Sequence, residues 1–65
     1  MLITVNSKSV EVNASGLAEA LQELGYTSPA IATALNGQFV SRDARAAITL
    51  THGDALEVLA PMQGG

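Results

Sequence analysis

Leu2-Ile3-Thr4-Val5-Asn6-Ser7-Lys8-Ser9-Val10-Glu11-Val12, followed by Leu17-Ala18-Glu19-Ala20-Leu21-Gln22-Glu23-Leu24, is the stretch that decides the fold. Its apolar period changes partway along, from two to about 3.6 residues, which is the change from strand to helix. In the first part Met1, Ile3 and Val5 share one face, and Val10 and Val12 share a face of the next run. Asn6-Ser7-Lys8 between them carries turn chemistry, so the two runs read as a β-hairpin. In the second part Leu17, Leu21 and Leu24 stand at i, i+4 and i+7, which stacks them on one side of a helix. Ala18 and Ala20 favour that helix, and Glu19, Gln22 and Glu23 take its wet side. Ser15 is a candidate N-cap, with Gly16 as the alternative because Glu19 follows three residues later. Gly25 sits where helices commonly end in left-handed geometry.

Downstream, Pro29 bars a helix from continuing and opens an extended segment. Ile31 to Leu35 reads as the third strand, with Ile31, Thr33 and Leu35 on one side and Ala32 and Ala34 on the other. Asn36-Gly37 is the strongest hairpin-turn signal in the chain, and Gln38-Phe39-Val40 is its return strand. Ser41 to Ala47 is polar and alanine-rich, and reads as a loop with room for one helical turn. Ile48-Thr49-Leu50 adds two apolar side chains, Thr51-His52-Gly53-Asp54 is a turn, and Ala55 to Ala60 is the last strand. One helix covers only one face of a sheet. The long crossover through that helix lets the first and last strands lie side by side and parallel. The expected class is therefore α+β, a β-grasp with a mixed sheet of four to five strands on one main helix. Residues 1–60 are expected to form the domain and 61–65 a flexible C-terminal tail.

Composition narrows the chemistry. A chain of 65 residues is marginal as a domain unless it finds extra support. With no cysteine it has no disulfide, no thiolate nucleophile and no cysteine metal site. Its interior must be aliphatic, since 48% of residues are hydrophobic but only 3% are aromatic, which suits a reducing, cytoplasmic setting. The start has no positively charged segment before an apolar run, and no stretch reaches the length of a membrane span. Net charge is −3, and Lys8, Arg42 and Arg45 are the only Lys and Arg residues. That balance argues against nucleic acid, which needs clustered cations to neutralise phosphates.

No enzymatic constellation is visible. His52 stands alone beside Gly53-Asp54 and reads as a solvated turn residue, with Asp54 serving the same turn. Glu11, Glu19, Glu23, Asp43 and Glu57 read as solvated face residues, and no metal site is expected. No glycine-rich loop resembles a phosphate cradle, so no cofactor is expected on the chain itself. What remains is the end. After the last strand come Pro61-Met62-Gln63 and then Gly64-Gly65. Pro61 lacks an N–H and helps release the tail from the sheet. Two residues without Cβ leave a thin carboxylate that a narrow channel can admit. Met62 and Gln63 flank that carboxylate and are candidates to be read by such a channel. On period two, Leu56 and Val58 face the helix, so Leu59 points outward with Glu57. Ala32 and Ala34 share that outer side, and Phe39, near the turn, belongs to the core or to the rim. Leu59, Ala34, Ala32 and Phe39 are thus the candidate partner-docking surface.

These pieces resemble the ubiquitin-like sulfur carriers, most closely the ThiS family of thiamine thiazole biosynthesis. The matching segments are Ile3-Thr4-Val5-Asn6, Leu17-Ala18-Glu19 through Leu24-Gly25, and Ala34-Leu35-Asn36-Gly37-Gln38-Phe39-Val40. They continue with Gly53-Asp54 and end in Met62-Gln63-Gly64-Gly65, so the resemblance spans the chain. Two positions depart from the family pattern. Ser7 stands where the first turn often has Gly, and Ser41 where Pro often precedes Arg42. The resemblance implies a carrier that is a substrate rather than an enzyme. A ubiquitin-activating-type adenylyltransferase would use ATP to adenylate Gly65, and a persulfide donor would convert it to a thiocarboxylate. Gly64, Gln63 and Met62 would thread the partner active site, and thiazole synthase would receive the sulfur. The alternatives are the small subunit of molybdopterin synthase, a ubiquitin-like protein modifier, and a plain interaction module.

Overall fold

The computed structural model describes residues 1–60; the expected tail, 61–65, lies outside the described residues. The elements are β1 (Leu2–Val5), β2 (Lys8–Glu11), α1 (Leu17–Glu23), β3 (Ala32–Leu35), β4 (Gln38–Val40), a 3-10 helix (Arg42–Ala47) and β5 (Ala55–Leu59). They form one five-stranded sheet in the order β2-β1-β5-β3-β4. β5 enters the middle, parallel to β1 with Val5 opposite Leu56, and antiparallel to β3 with Thr33 opposite Val58. The β-grasp expected from the change of period is the fold observed.

The period-two pattern sorts the residues of the sheet. Ile3, Val5, Thr33, Val40, Leu56 and Val58 are buried on the side covered by α1, where Leu17, Ala20 and Leu21 meet them. At roughly 25 cal/mol per Å² of apolar surface, this aliphatic layer is the main favourable term holding the fold. Val12 lies one residue beyond β2 and is fully buried, its N–H donating to the Met1 carbonyl at 2.9 Å.

The two central turns use the same backbone. Asn6 and Ser7 have φ of 50° and 72°, and Asn36 and Gly37 have 51° and 82°. Two consecutive positive φ values make the turn whose twist matches that of paired strands. Ser7 therefore occupies a left-handed position that its Cβ disfavours.

One open choice is decided and two local expectations are corrected. Of the two N-cap candidates for α1, Gly16 holds the position, and no side chain caps it. The neighbouring 48–50 segment takes one free donor of the helix start, Leu17 N–H donating to the Ile48 carbonyl at 3.0 Å, and is itself tied there by Leu50 N–H donating to the Ser15 carbonyl at 2.8 Å. The helix ends at Glu23, with Leu24 as the C-cap, half-buried. Tyr26 N–H reaches the Leu21 carbonyl at 2.8 Å and Gly25 N–H that of Gln22 at 3.1 Å, the paired closure of a Schellman motif. The segment read as a loop is a six-residue 3-10 helix that buries Arg45 to 9% exposure.

Candidate functional site

The face of the sheet opposite α1 has no layer over it among the described residues. Cross-strand pairing assembles its apolar part: Ala32 lies opposite Leu59, and Ala34 lies opposite both Phe39 and Glu57. Phe39 and Leu59 are 74% and 73% exposed, the two most exposed large hydrophobic side chains described. With only methyl groups between them, the surface dips into a depression of about 430 Å³ lined by Ala32, Ala34, Phe39, Leu59, Glu57 and the edge of Asn6. Single exposed apolar residues are ordinary, but a contiguous pair flanking small residues marks a surface suited to close contact. All four residues expected to form the docking surface are brought together here. Phe39, left between core and rim, points to this face.

β5 carries the chain from the core to that face and towards its end. Both of its ends are held by asparagine side chains. At its start, Ala55 N–H donates to Asn36 Oδ1 at 2.9 Å, and Asn36 Nδ2 donates to Asp54 Oδ1 at 3.1 Å. Near its finish, Val58 N–H donates to Asn6 Oδ1 at 2.9 Å and Asn6 Nδ2 donates to the Val58 carbonyl at 3.1 Å. Sequence reading assigned Asn6 and Asn36 to turns only. The available signal was that both turns begin with the one residue type that tolerates positive φ and also carries an amide. Asp54 acts as expected, accepting Thr51 N–H at 2.8 Å within its turn.

Met62, Gln63, Gly64 and Gly65, the residues expected to react or to thread a partner, lie outside the described residues. His52 is exposed in its turn and accepts the Leu2 N–H on Nδ1 at 3.2 Å. Glu23 is exposed as expected but is more than a solvated face residue. Its carboxylate accepts the N–H groups of Asn13, at 2.9 and 3.0 Å, and of Ala14, at 3.0 Å. Those bonds, Asn13 first, hold its pKa below the usual carboxylate value. Glu11 meets the amino group of Met1 at 3.0 Å while 71% exposed, a geometry of small energetic worth.

Arg45 had no signal in the sequence beyond being an Arg set among alanines. Its Nε donates to Thr33 Oγ1 at 3.1 Å and its Nη2 to the Ile31 carbonyl at 2.7 Å. Thr33 in turn donates to the Val40 carbonyl at 2.9 Å, so the guanidinium ties the 3-10 helix to β3 and β4 from the buried side. Among the described residues, no three His, Asp or Glu side chains converge as metal ligands. No described helix is long and apolar enough to cross a membrane.

The chain resembles known proteins along its whole length. The model of the ThiS family matches residues 2–65. A crystal structure of the thiamine biosynthesis protein ThiS from Geobacter metallireducens superposes with a TM-score of 0.82 at 35% identity, covering 100% of both chains. A solution NMR structure of a thiamine biosynthesis protein from the same organism gives 0.83 at 35% identity, covering 100% of this chain and 88% of that one. No curated protein sequence matches.

Proposed function

The chain belongs to the ThiS family, and from that premise we propose that it is a sulfur carrier of thiamine thiazole biosynthesis whose chemistry is performed on its last carboxylate. The observation that carries this reading is the family match through residue 65, on a sheet whose central strand ends next to an open apolar face.

The reaction asks little of the carrier's side chains. A carboxylate is a poor acyl donor. A ubiquitin-activating-type adenylyltransferase lets the Gly65 carboxylate attack the α-phosphorus of ATP, and pyrophosphate leaves. The acyl-adenylate is electrophilic at the terminal carbonyl carbon. The outer sulfur of a persulfide attacks there and expels AMP. A thiol then cleaves the S–S bond, giving the thiocarboxylate and a disulfide. The terminal sulfur is a soft nucleophile that thiazole synthase accepts. Gly64 gives passage to the carbonyl, Met62 and Gln63 occupy the approach channel, and Leu59, Phe39, Ala32 and Ala34 dock against the activating enzyme. ATP belongs to that enzyme, the carrier itself is not an enzyme, and the pathway is cytoplasmic.

Complementation tests the reading. In a strain that lacks its own thiazole sulfur carrier, the chain restores growth without added thiazole, and a chain ending at Gly64 does not. Growth restored only in a strain deficient in the small subunit of molybdopterin synthase would move the chain to that pathway. Conjugates on other proteins would make it a modifier.

A further inference from the structure

We infer that Asn6 is a positioning residue: its side-chain amide braces the end of β5 on the β1 side, just before the chain leaves the sheet on its way to Gly65. This rests on the function proposed above. β1 runs parallel to β5 only as far as Val5 opposite Leu56, after which Asn6 N–H donates to the Leu56 carbonyl at 2.9 Å. A parallel ladder carried one step further would give Val58 N–H to the residue 6 carbonyl and would bring the Val58 carbonyl an N–H from residue 8. Neither is offered, because Asn6 turns away at φ 50° into the hairpin with β2. Its side chain supplies both missing groups: Oδ1 accepts from Val58 N–H and Nδ2 donates to the Val58 carbonyl. The amide stands in for the peptide of a strand that has ended.

The consequence falls on the end of β5. Both backbone groups of Val58 point to the Asn6 side and are taken by its amide, so Val58 faces Thr33 of β3 without a backbone hydrogen bond to it, while Leu59 lies opposite Ala32. Ala60 lies beyond the strand and is exposed. On the β1 side the hold on β5 therefore reaches Val58 instead of stopping at Leu56, where the β1 ladder ends, so that the strand is braced from both neighbours up to its last residues. That bracing covers about 7 Å of extended chain, two residues, and a reacting end loses rate on a misplacement much smaller than that. Asn6 also edges the open-face depression, so one residue couples the docking surface to the start of the tail.

A natural control stands at the other end of the strand, where Asn36 holds Ala55 by the same means. Both asparagines begin turns of positive φ, so Asn6→Gly and Asn36→Gly keep the backbone conformation and remove only the amide. Steady-state adenylation with the cognate activating enzyme, followed by ATP–pyrophosphate exchange, and amide hydrogen exchange on the free carrier form the test. In Asn6→Gly the Val58 amide exchanges about tenfold faster or more, and kcat falls about fivefold or more with KM within twofold of the unsubstituted chain. In Asn36→Gly, Val58 protection and kcat stay within twofold. Faster exchange at Val58 with unchanged kcat would overturn the positioning role. An equal loss of kcat in Asn36→Gly would also overturn it, reducing the effect to general stability. If the unsubstituted chain supports no pyrophosphate exchange at all, the carrier reading itself fails, and the positioning role with it. Hydrogen exchange at Val58 would still report whether the clamp exists.

Discussion

The two faces of this sheet are made from the same strands and differ in what covers them: one packs under the helix and the other stands open among the described residues. On β5, Leu56 and Val58 are 1% and 5% exposed, while Leu59 is 73% exposed. On β3 and β4, Thr33 and Val40 are buried and Ala32 and Phe39 are exposed. Alternation along a strand is enough to separate residues that hold the fold from residues free to meet a partner. The proposed carrier function asks for both at close quarters, because the strand that anchors the core also leads to the end on which the chemistry is proposed.

The sharpest way to break the comparison is to truncate one leucine on each face. Leu56→Ala removes a fully buried side chain and is expected to cost about 2–5 kcal/mol in urea denaturation. Leu59→Ala, three residues away, is expected to change stability by no more than about 0.5 kcal/mol. It should instead raise KM for the activating enzyme by about tenfold, the loss typical of an exposed apolar anchor at an interface. Comparable destabilisation by both, or unchanged KM in Leu59→Ala, would remove the division of labour between the faces.

A smaller effect sharpens the buried side. Arg45→Met keeps the length of the side chain but leaves the Ile31 carbonyl and Thr33 Oγ1 short of a donor, and is expected to cost about 1–3 kcal/mol. If the cost is near zero, the guanidinium contributes nothing beyond the packing of its stem. Ser7→Gly lies on neither face and tests the hairpin that places Asn6. Relieving a left-handed L-residue at φ 72° should stabilise by about 1 kcal/mol, with no change in adenylation. A loss of stability would show that the Ser7 hydroxyl makes up for the strain.

The smallest effect is electrostatic. Glu23 has its pKa depressed by the N–H groups of Asn13 and Ala14, below an ordinary 4.5. A depressed carboxylate contributes stability that is complete above its unfolded value and is lost as pH falls through the folded value. Denaturation of the unsubstituted chain should therefore become easier below about pH 4.5, and Glu23→Gln should flatten that part of the profile. An identical acid limb in both proteins would contradict the assignment.

These residues also show which parts of the molecule could be read from its sequence. Ile3, Val5, Leu56 and Val58 repeat at period two, and Leu17 and Leu21 at helical spacing, so the layers and the outward position of Leu59 followed from local pattern. The parallel pairing of β1 with β5 followed from the crossover. What stayed hidden depended on side chains meeting across the fold. The Asn6 amide serves a residue 52 positions away, and Arg45 one 12 positions away, and no local pattern marks either contact. The choice of Gly16 over Ser15 at the helix start stayed open for the same reason, since one donor there is satisfied by Ile48 from another segment. Glu23 was read as solvated because its partners lie ten and nine residues back, in a stretch without regular structure.

The central claim concerns the last carboxylate, and intact mass reports on it most directly. The purified chain is incubated with its activating enzyme, ATP, a persulfide donor and a thiol, and compared with a chain ending at Gly64. The account predicts that the full chain gains the mass difference of one oxygen replaced by sulfur, located at Gly65, and that the shortened chain keeps its mass. Sulfur gained equally by the shortened chain, or by neither, would contradict it.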